Sequence, residues 1–156
     1  MNKKTIKTIL SNKKAFYNYL LDTKYIAGIK LLGNEVKSIR LGKVNLDNSY
    51  IKFNFDEVFI INMLISKYPF CNIFHNYNEN RERKLLLNKR EILQIKNKIQ
   101  TKGFIVIPIR ILIIKNLVKI EISLAKGKKK YDKRSLLKEK ELDLKIKKMI
   151  KKDDYY

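Results

Sequence analysis

Only one cysteine, Cys71, and one histidine, His75, occur in the chain, and they fall in the same loop-like stretch. A single thiol excludes an internal disulfide and fits a reducing compartment. The two residues supply half of the four ligands a structural zinc site needs. Nearness in sequence is also not the spatial pairing that activates a thiolate. Five glycines make no Gly-rich phosphate loop. Carboxylates are few, and Glu35, Asp47, Asp56 and Glu57 are scattered among predicted elements, as surface acids usually are. No enzyme and no cofactor are expected. Long apolar runs are missing too: residues 104–114, the most apolar stretch, include Pro108 and Arg110 and are too short to span a bilayer. Lys7 sits where a signal peptide would need its apolar centre. A cytoplasmic protein that does not enter membranes is expected.

What is abundant is positive charge. Thirty-six Lys and Arg against 15 Asp and Glu give a formal net charge of +21 over 156 residues. Such a charge opposes compaction and invites a polyanion, with nucleic acid favoured over an anionic membrane. Plentiful Lys, Ile and Asn also fit an A/T-rich genome, which discounts the argument without removing it. Apolar residues still make up 45% of the chain, enough for one compact domain plus an appendage. The stretch Ala125-Lys126-Gly127-Lys128-Lys129-Lys130-Tyr131-Asp132-Lys133-Arg134 carries six cations around one aromatic ring. Cations with a stacking face suit unpaired nucleotides; a solvated hinge explains the same composition.

The hydrophobic pattern is mainly β. Residues 1–14 read as a basic arm, and residues 15–21 suit a short helix. From residue 25 to 32, Tyr25, Ala27, Ile29 and Leu31 alternate with Ile26, Gly28, Lys30 and Leu32, which predicts a strand. Gly33 ends it, and residues 34–41 predict a helix capped by Asn34. Strands at 49–55 and 58–66 form a hairpin, the second apolar on both faces except at Asn62. Residues 67–84 look like an exposed loop. Asn88 followed by Glu91 signals a helix start, Ile92, Ile95 and Ile99 its buried stripe, and Gly103 its C-cap. Strands at 104–114 and 117–124 follow, joined by Lys115-Asn116. Pro108 implies a bulge or an edge position in the first. In the second, Val118, Ile120, Ile122 and Leu124 point inward, and Lys119, Glu121 and Ser123 outward.

About five antiparallel strands with two or three short helices close most simply into an OB-type antiparallel β-barrel. This barrel domain is expected over residues 1–125, with a basic C-terminal tail over 126–156. The tail holds thirteen Lys and Arg against six Asp and Glu. Leu142, Ile146, Met149 and Ile150 recur at helical spacing, so a basic amphipathic helix from about residue 135 to 152 is expected to order only on a partner.

Particular words in the sequence go further than composition. They are Asn12-Lys13-Lys14-Ala15, Ala27-Gly28-Ile29, Gly33-Asn34-Glu35-Val36-Lys37-Ser38-Ile39-Arg40, Gly42-Lys43, and Asn45 with Ser49-Tyr50. Arg83-Lys84-Leu85-Leu86-Leu87, Lys89-Arg90-Glu91, Ala125-Lys126-Gly127-Lys128-Lys129 and Tyr131-Asp132-Lys133-Arg134 follow in order. Together they resemble the SsrA-binding protein (small protein B) family over roughly residues 11–152. The resemblance implies an OB-type barrel that binds the tRNA-like domain of transfer-messenger RNA and delivers it to stalled ribosomes for trans-translation. It implies a monomer when free, with that RNA and the small-subunit rRNA as partners. The body would stand in for the anticodon arm this RNA lacks, and the tail would enter the decoding centre and the vacant messenger channel.

Carried over by position, Asn12, Lys13, Lys14, Glu35, Lys37, Ser38, Arg40, Lys84, Leu86 and Lys119 are implied as RNA-binding residues. Gly127, Lys128, Lys129, Tyr131, Asp132, Lys133 and Arg134 are implied as decoding-centre contacts. Simpler readings stand beside these. Leu86 could be core, Glu35 a helix N-terminal acid, and Lys37 and Arg40 a solvated face. Ile26 departs from the pattern, since the family typically has an RNA-binding glutamate there. The alternative reading is a general RNA-binding OB module or a ribosomal protein.

Overall fold

The computed structural model describes residues 6–70 and 77–129, together with Ser135, Leu137, Glu141, Leu142, Leu144 and Lys145. The chain divides into two compact units, Met1–Lys126 and Gly127–Tyr156. In chain order the elements are β1 (Ile6–Ser11), α1 (Lys13–Asn18), β2 (Tyr19–Ile29), α2 (Gly33–Arg40), β3 (Val44–Asn45), β4 (Tyr50–Asn54), β5 (Glu57–Ile61), β6 (Leu64–Ile65), β7 (Arg83–Leu86), α3 (Lys89–Lys102), β8 (Ile105–Ile114) and β9 (Leu117–Gly127). Seven strands form one sheet in the order β1-β8-β9-β2-β7-β5-β4, while β3 and β6 make a small antiparallel pair. The ladders β1–β8, β8–β9, β2–β7, β5–β7 and β4–β5 are antiparallel. The sheet curls until β4 lies against β8 with no ladder between them. The result is an OB-type architecture, mostly antiparallel β with short helices, whose barrel is not closed by hydrogen bonds.

The apolar alternation of the sequence fills the inside of this curl. Ala27, Val58, Ile60, Leu85, Ile111, Ile120, Ile122 and Leu124 from the strands meet Ile39 of α2 and Ile92 and Ile95 of α3. The strongest sequence signals translate directly. Glu91 accepts the Asn88 N–H at 2.9 Å at the start of α3, and Gly103 ends it with φ 62°, a left-handed conformation that favours glycine. Lys115 and Asn116 turn β8 into β9 with φ 49° and 64°, and Pro108 adjoins a register shift in the β1–β8–β9 region.

Other expectations need correction. The reading of residues 1–14 as an arm missed β1, whose apolar Ile6, Ile9 and Leu10 are interrupted by Lys7 and Thr8. The helix expected over 15–21 ends at Asn18, and Tyr19 and Leu21 belong to β2 instead. Leu32, not Asn34, precedes the first turn of α2. Asn62 takes φ 55° and breaks the strand expected over 58–66 into β5 and β6. Strand β7 occupies the end of the presumed 67–84 loop. Ser123 faces away from the main core but is fully buried, and Glu121 is nearly so. The outer face of the sheet is covered there by Ala15 of α1 with Tyr19 and Leu21, which pack against Ile107 and Ala125.

Strand β9 runs to Gly127, past the boundary expected after residue 125. Within the second unit, Ser135, Leu137, Glu141, Leu142, Leu144 and Lys145 are helical and exposed. Cys71, His75, Ile146, Met149 and Ile150 lie outside the described residues. No described helix is long and apolar enough to cross a membrane.

Candidate nucleic-acid interface

Helix α2 carries four of the residues implied as RNA-binding, and its periodicity splits them. Glu35, Ser38 and Ile39 fall on the buried side, Lys37 and Arg40 on the exposed one. Glu35 is fully enclosed. Its Oε2 accepts the Leu32 N–H at 2.8 Å, which closes the first turn of the helix. Its Oε1 accepts Arg81 Nε at 2.8 Å and Arg83 Nε at 3.0 Å, and Arg81 Nη2 sits 2.5 Å from Oε2. Burial pushes the Glu35 carboxyl upward, but Arg81, the Leu32 N–H and Arg83 outweigh it and hold the pKa below its ordinary value. Arg83 is equally enclosed and also donates to the carbonyls of Met63, Arg81 and Glu79. This cluster welds α2 to β7 and to residues 79–83. The Glu35 oxygens are therefore engaged inside the fold, by Leu32, Arg81 and Arg83.

Asn12 is likewise buried and bonded within the fold. It is 6% exposed, its Oδ1 accepts the Ala15 N–H at 3.0 Å, and its Nδ2 donates to Pro108 O at 3.2 Å. It caps α1 and ties it to β8, while its neighbours Lys13 and Lys14 are exposed. Lys14 pairs with Asp47 at 2.8 Å. Ser38 is wholly buried and makes no direct contact surface either.

The remaining body residues lie on the outside. Lys37 stands with its ammonium 5.4 Å from the ring centroid of Tyr68. Arg40 donates to the carbonyl of Asn116 at 3.2 Å, fastening α2 to the β8–β9 turn. Gly28 pairs with Leu86 in the β2–β7 ladder, which sets Lys84 and Leu86 on the outer face. A Cβ on Gly28 would approach the Leu86 Cβ to 3.1 Å, so any larger residue there would push Leu86 outward by a few tenths of an ångström. Leu86 is not core: it is 55% exposed, next to Ile26 at 49%. Lys84 pairs with Glu57 across the outer face. Lys119 is half-buried on the outer side of β9, the strand that flanks β2.

The geometry thus sets Lys84 and Leu86 on β7 and Lys119 on β9, with β2 between the two strands. It leaves Lys13 and Lys14 beside Pro108, in the other half of β8 from the turn that Arg40 touches. Gly127, Lys128 and Lys129 are described, whereas Tyr131, Asp132, Lys133 and Arg134 lie outside the described residues. Sequence reasoning missed Arg81 and Arg83 as partners of Glu35. Nothing local signals a contact across more than forty residues. Among the described residues no group of three or more His, Cys, Asp or Glu side chains is placed to hold a metal.

A curled OB-type sheet with lysines and an exposed leucine on its outer face has the make-up of a nucleic-acid-binding protein. The sequence pattern of the SmpB protein family matches residues 9–152. The SsrA-binding protein of Caldicellulosiruptor bescii is 45% identical over 146 residues, covering 94% of this chain and 92% of that protein. That of Acholeplasma laidlawii is 46% identical over 137 residues, covering 88% and 91%. A solved structure described as "tmRNA-SmpB: a journey to the center of the bacterial ribosome" superposes with a TM-score of 0.64 at 36% identity. It covers 78% of this chain and 85% of its own. The chain belongs to the SmpB family.

Proposed function

We propose that this protein binds the tRNA-like domain of transfer-messenger RNA and delivers it to stalled ribosomes for trans-translation. The observation that carries the reading is family membership across nearly the whole chain, together with the likeness to SmpB on the bacterial ribosome. The protein is an RNA-binding partner, not an enzyme. Its place of action is the cytoplasm, and it is a monomer when free.

Two zones do physically different work. The body holds a folded RNA by shape and phosphate contact, through Lys37, Arg40, Lys84, Leu86 and Lys119, with Lys13 and Lys14 at a second edge. Asn12, Glu35 and Ser38 hold the elements that carry these side chains. The segment from Gly127 onward, with Lys128, Lys129, Tyr131, Asp132, Lys133 and Arg134, enters the decoding centre and the empty messenger channel. Its cations meet small-subunit rRNA phosphates and offset the entropy lost on ordering. A messenger strand competes for the same space, so vacancy itself is the signal. Residues 1–125 serve as the RNA-binding domain and 126–156 as the ribosome probe.

Truncation after Lys129, which leaves β9 whole, tests the division. The shortened protein is expected to shift the tRNA-like domain in a gel with nearly unchanged affinity, yet to abolish peptide tagging in a reconstituted stalled-ribosome assay. Equal loss of both activities refutes the division. Failure of the full chain to prefer the tRNA-like domain over bulk tRNA refutes the function.

A further inference from the structure

Beside α2 stands an aromatic step formed by Tyr68 and Phe70. Tyr68 and Phe70 flank Pro69, with ring centroids 5.6 Å apart and planes at 66°, an edge-to-face pair. Tyr68 is half-buried under the ammonium of Lys37, 5.4 Å from its centroid. Phe70 is 80% exposed. The segment is stiff for reasons in its sequence and its anchoring. Pro69 fixes its own φ and restricts Tyr68 to extended backbone. Just upstream, Ser66 N–H donates to Lys43 O at 3.1 Å and Ile65 N–H to Glu79 O at 3.1 Å. Lys67 N–H donates to Glu79 Oε1 at 3.0 Å, and the Tyr77 hydroxyl donates to Ile65 O at 2.9 Å. Residues 79–83 are in turn locked to α2 by Glu35, Arg81 and Arg83. With residues 65–67 anchored and Pro69 fixing its own φ, the backbone leading into the aromatic pair loses little freedom when something stacks there.

We infer that Tyr68 and Phe70 form a stacking platform for one unpaired base of the transfer-messenger RNA, with Lys37 and Lys43 on the adjoining phosphates. The inference rests on the function proposed above and adds the residues that would read an unstacked nucleotide. An apolar peptide could also cover Phe70. The surroundings favour a polyanion, however: Lys37 and Lys43 are exposed, while the nearby carboxylates of Glu35 and Glu79 are already engaged by arginines and by a backbone N–H. Aromatic faces flanked by cations are how single-stranded nucleotides are held without base-edge bonds.

The chain contains no tryptophan, so Phe70→Trp places a single indole at the platform. Titrated with a transcript of the tRNA-like domain, that variant is expected to bind as the wild type does, with its emission quenched in step with binding. Phe70→Ala is expected to bind about tenfold more weakly with an unchanged salt slope, whereas Lys37→Ala lowers the slope by about one phosphate's share. Because Phe70 and Lys37 are exposed, the urea midpoints of the three variants should match that of the wild type, which separates contact from folding. Wild-type affinity in Phe70→Ala overturns the platform, as does Phe70→Trp binding the transcript with unaltered emission. Those results would leave the function standing. If the wild type shows no preference for the tRNA-like domain over bulk tRNA, the function and the platform fall together. An emission change on vacant ribosomes but not on the transcript overturns the assignment to this RNA.

Discussion

Strand β7 has two faces that depart from the usual sorting of side chains in opposite directions. Its inner face sets Arg83 beside Leu85, and both are enclosed; its outer face sets Lys84 beside Leu86, and the leucine is 55% exposed. The inward guanidinium is tolerated because Glu35 supplies its countercharge and three carbonyls take its remaining protons. The outward leucine is only partly accounted for within the molecule, by its contact over Gly28. The contrast teaches where to look for a partner. A buried charge must be answered inside the fold, whereas an exposed leucine between lysines invites an answer from outside, such as the ribose and base surfaces of a bound RNA.

The sharpest way to break this contrast is on the inner face. Glu35→Gln leaves the Arg83 charge buried without its anion, an expected loss on the order of 3–5 kcal/mol of folding stability by urea denaturation. Leu85→Ala on the same face should cost about 2–5 kcal/mol. The Glu35 pKa is depressed in the folded state, so its stabilisation is complete above the ordinary value of 4.5 and fades as pH falls through and below it. The wild type should therefore lose stability on acidification more steeply than Glu35→Gln, and the two curves should converge. Parallel curves would show that the cluster does not depend on the carboxylate's charge.

On the outer face the expected effects move from stability to binding. Leu86→Ala should change stability by less than about 1 kcal/mol yet weaken binding of the tRNA-like domain roughly fivefold to tenfold, measured by filter binding. A stability loss matching that of Leu85→Ala would mean that the leucine is structural after all. The smallest effect is expected at Lys119. Its replacement by alanine should lower the salt dependence of binding by about one phosphate's share and leave folding untouched. An unchanged slope removes it from the interface.

Much of this was legible from the chain alone. The alternation of Tyr25, Ala27 and Ile29, the helix of Ile92 and Ile95 with its Glu91 and Gly103 signals, and the β8–β9 hairpin are local patterns, and each appears as read. Family words located the signature helix and the outer-strand residues. The misses share a cause. Strands β1 and β7 are weakly patterned and exist because neighbouring strands pair with them. The burial of Asn12, Glu35 and Ser38 follows from carbonyls, cations and side chains contributed by distant segments. Tyr68 and Phe70 read only as loop residues until α2 set Lys37 against them.

The sequence by itself determined the charge, the periodicities, the ends of α3 and the kinship, because these depend on residues near one another or on words kept in order. The tertiary structure alone decided which polar residues would be spent inside and which left for a partner. Whether a carboxylate faces solvent or two guanidinium groups depends on what the rest of the chain brings to it. No spacing along the chain encodes that.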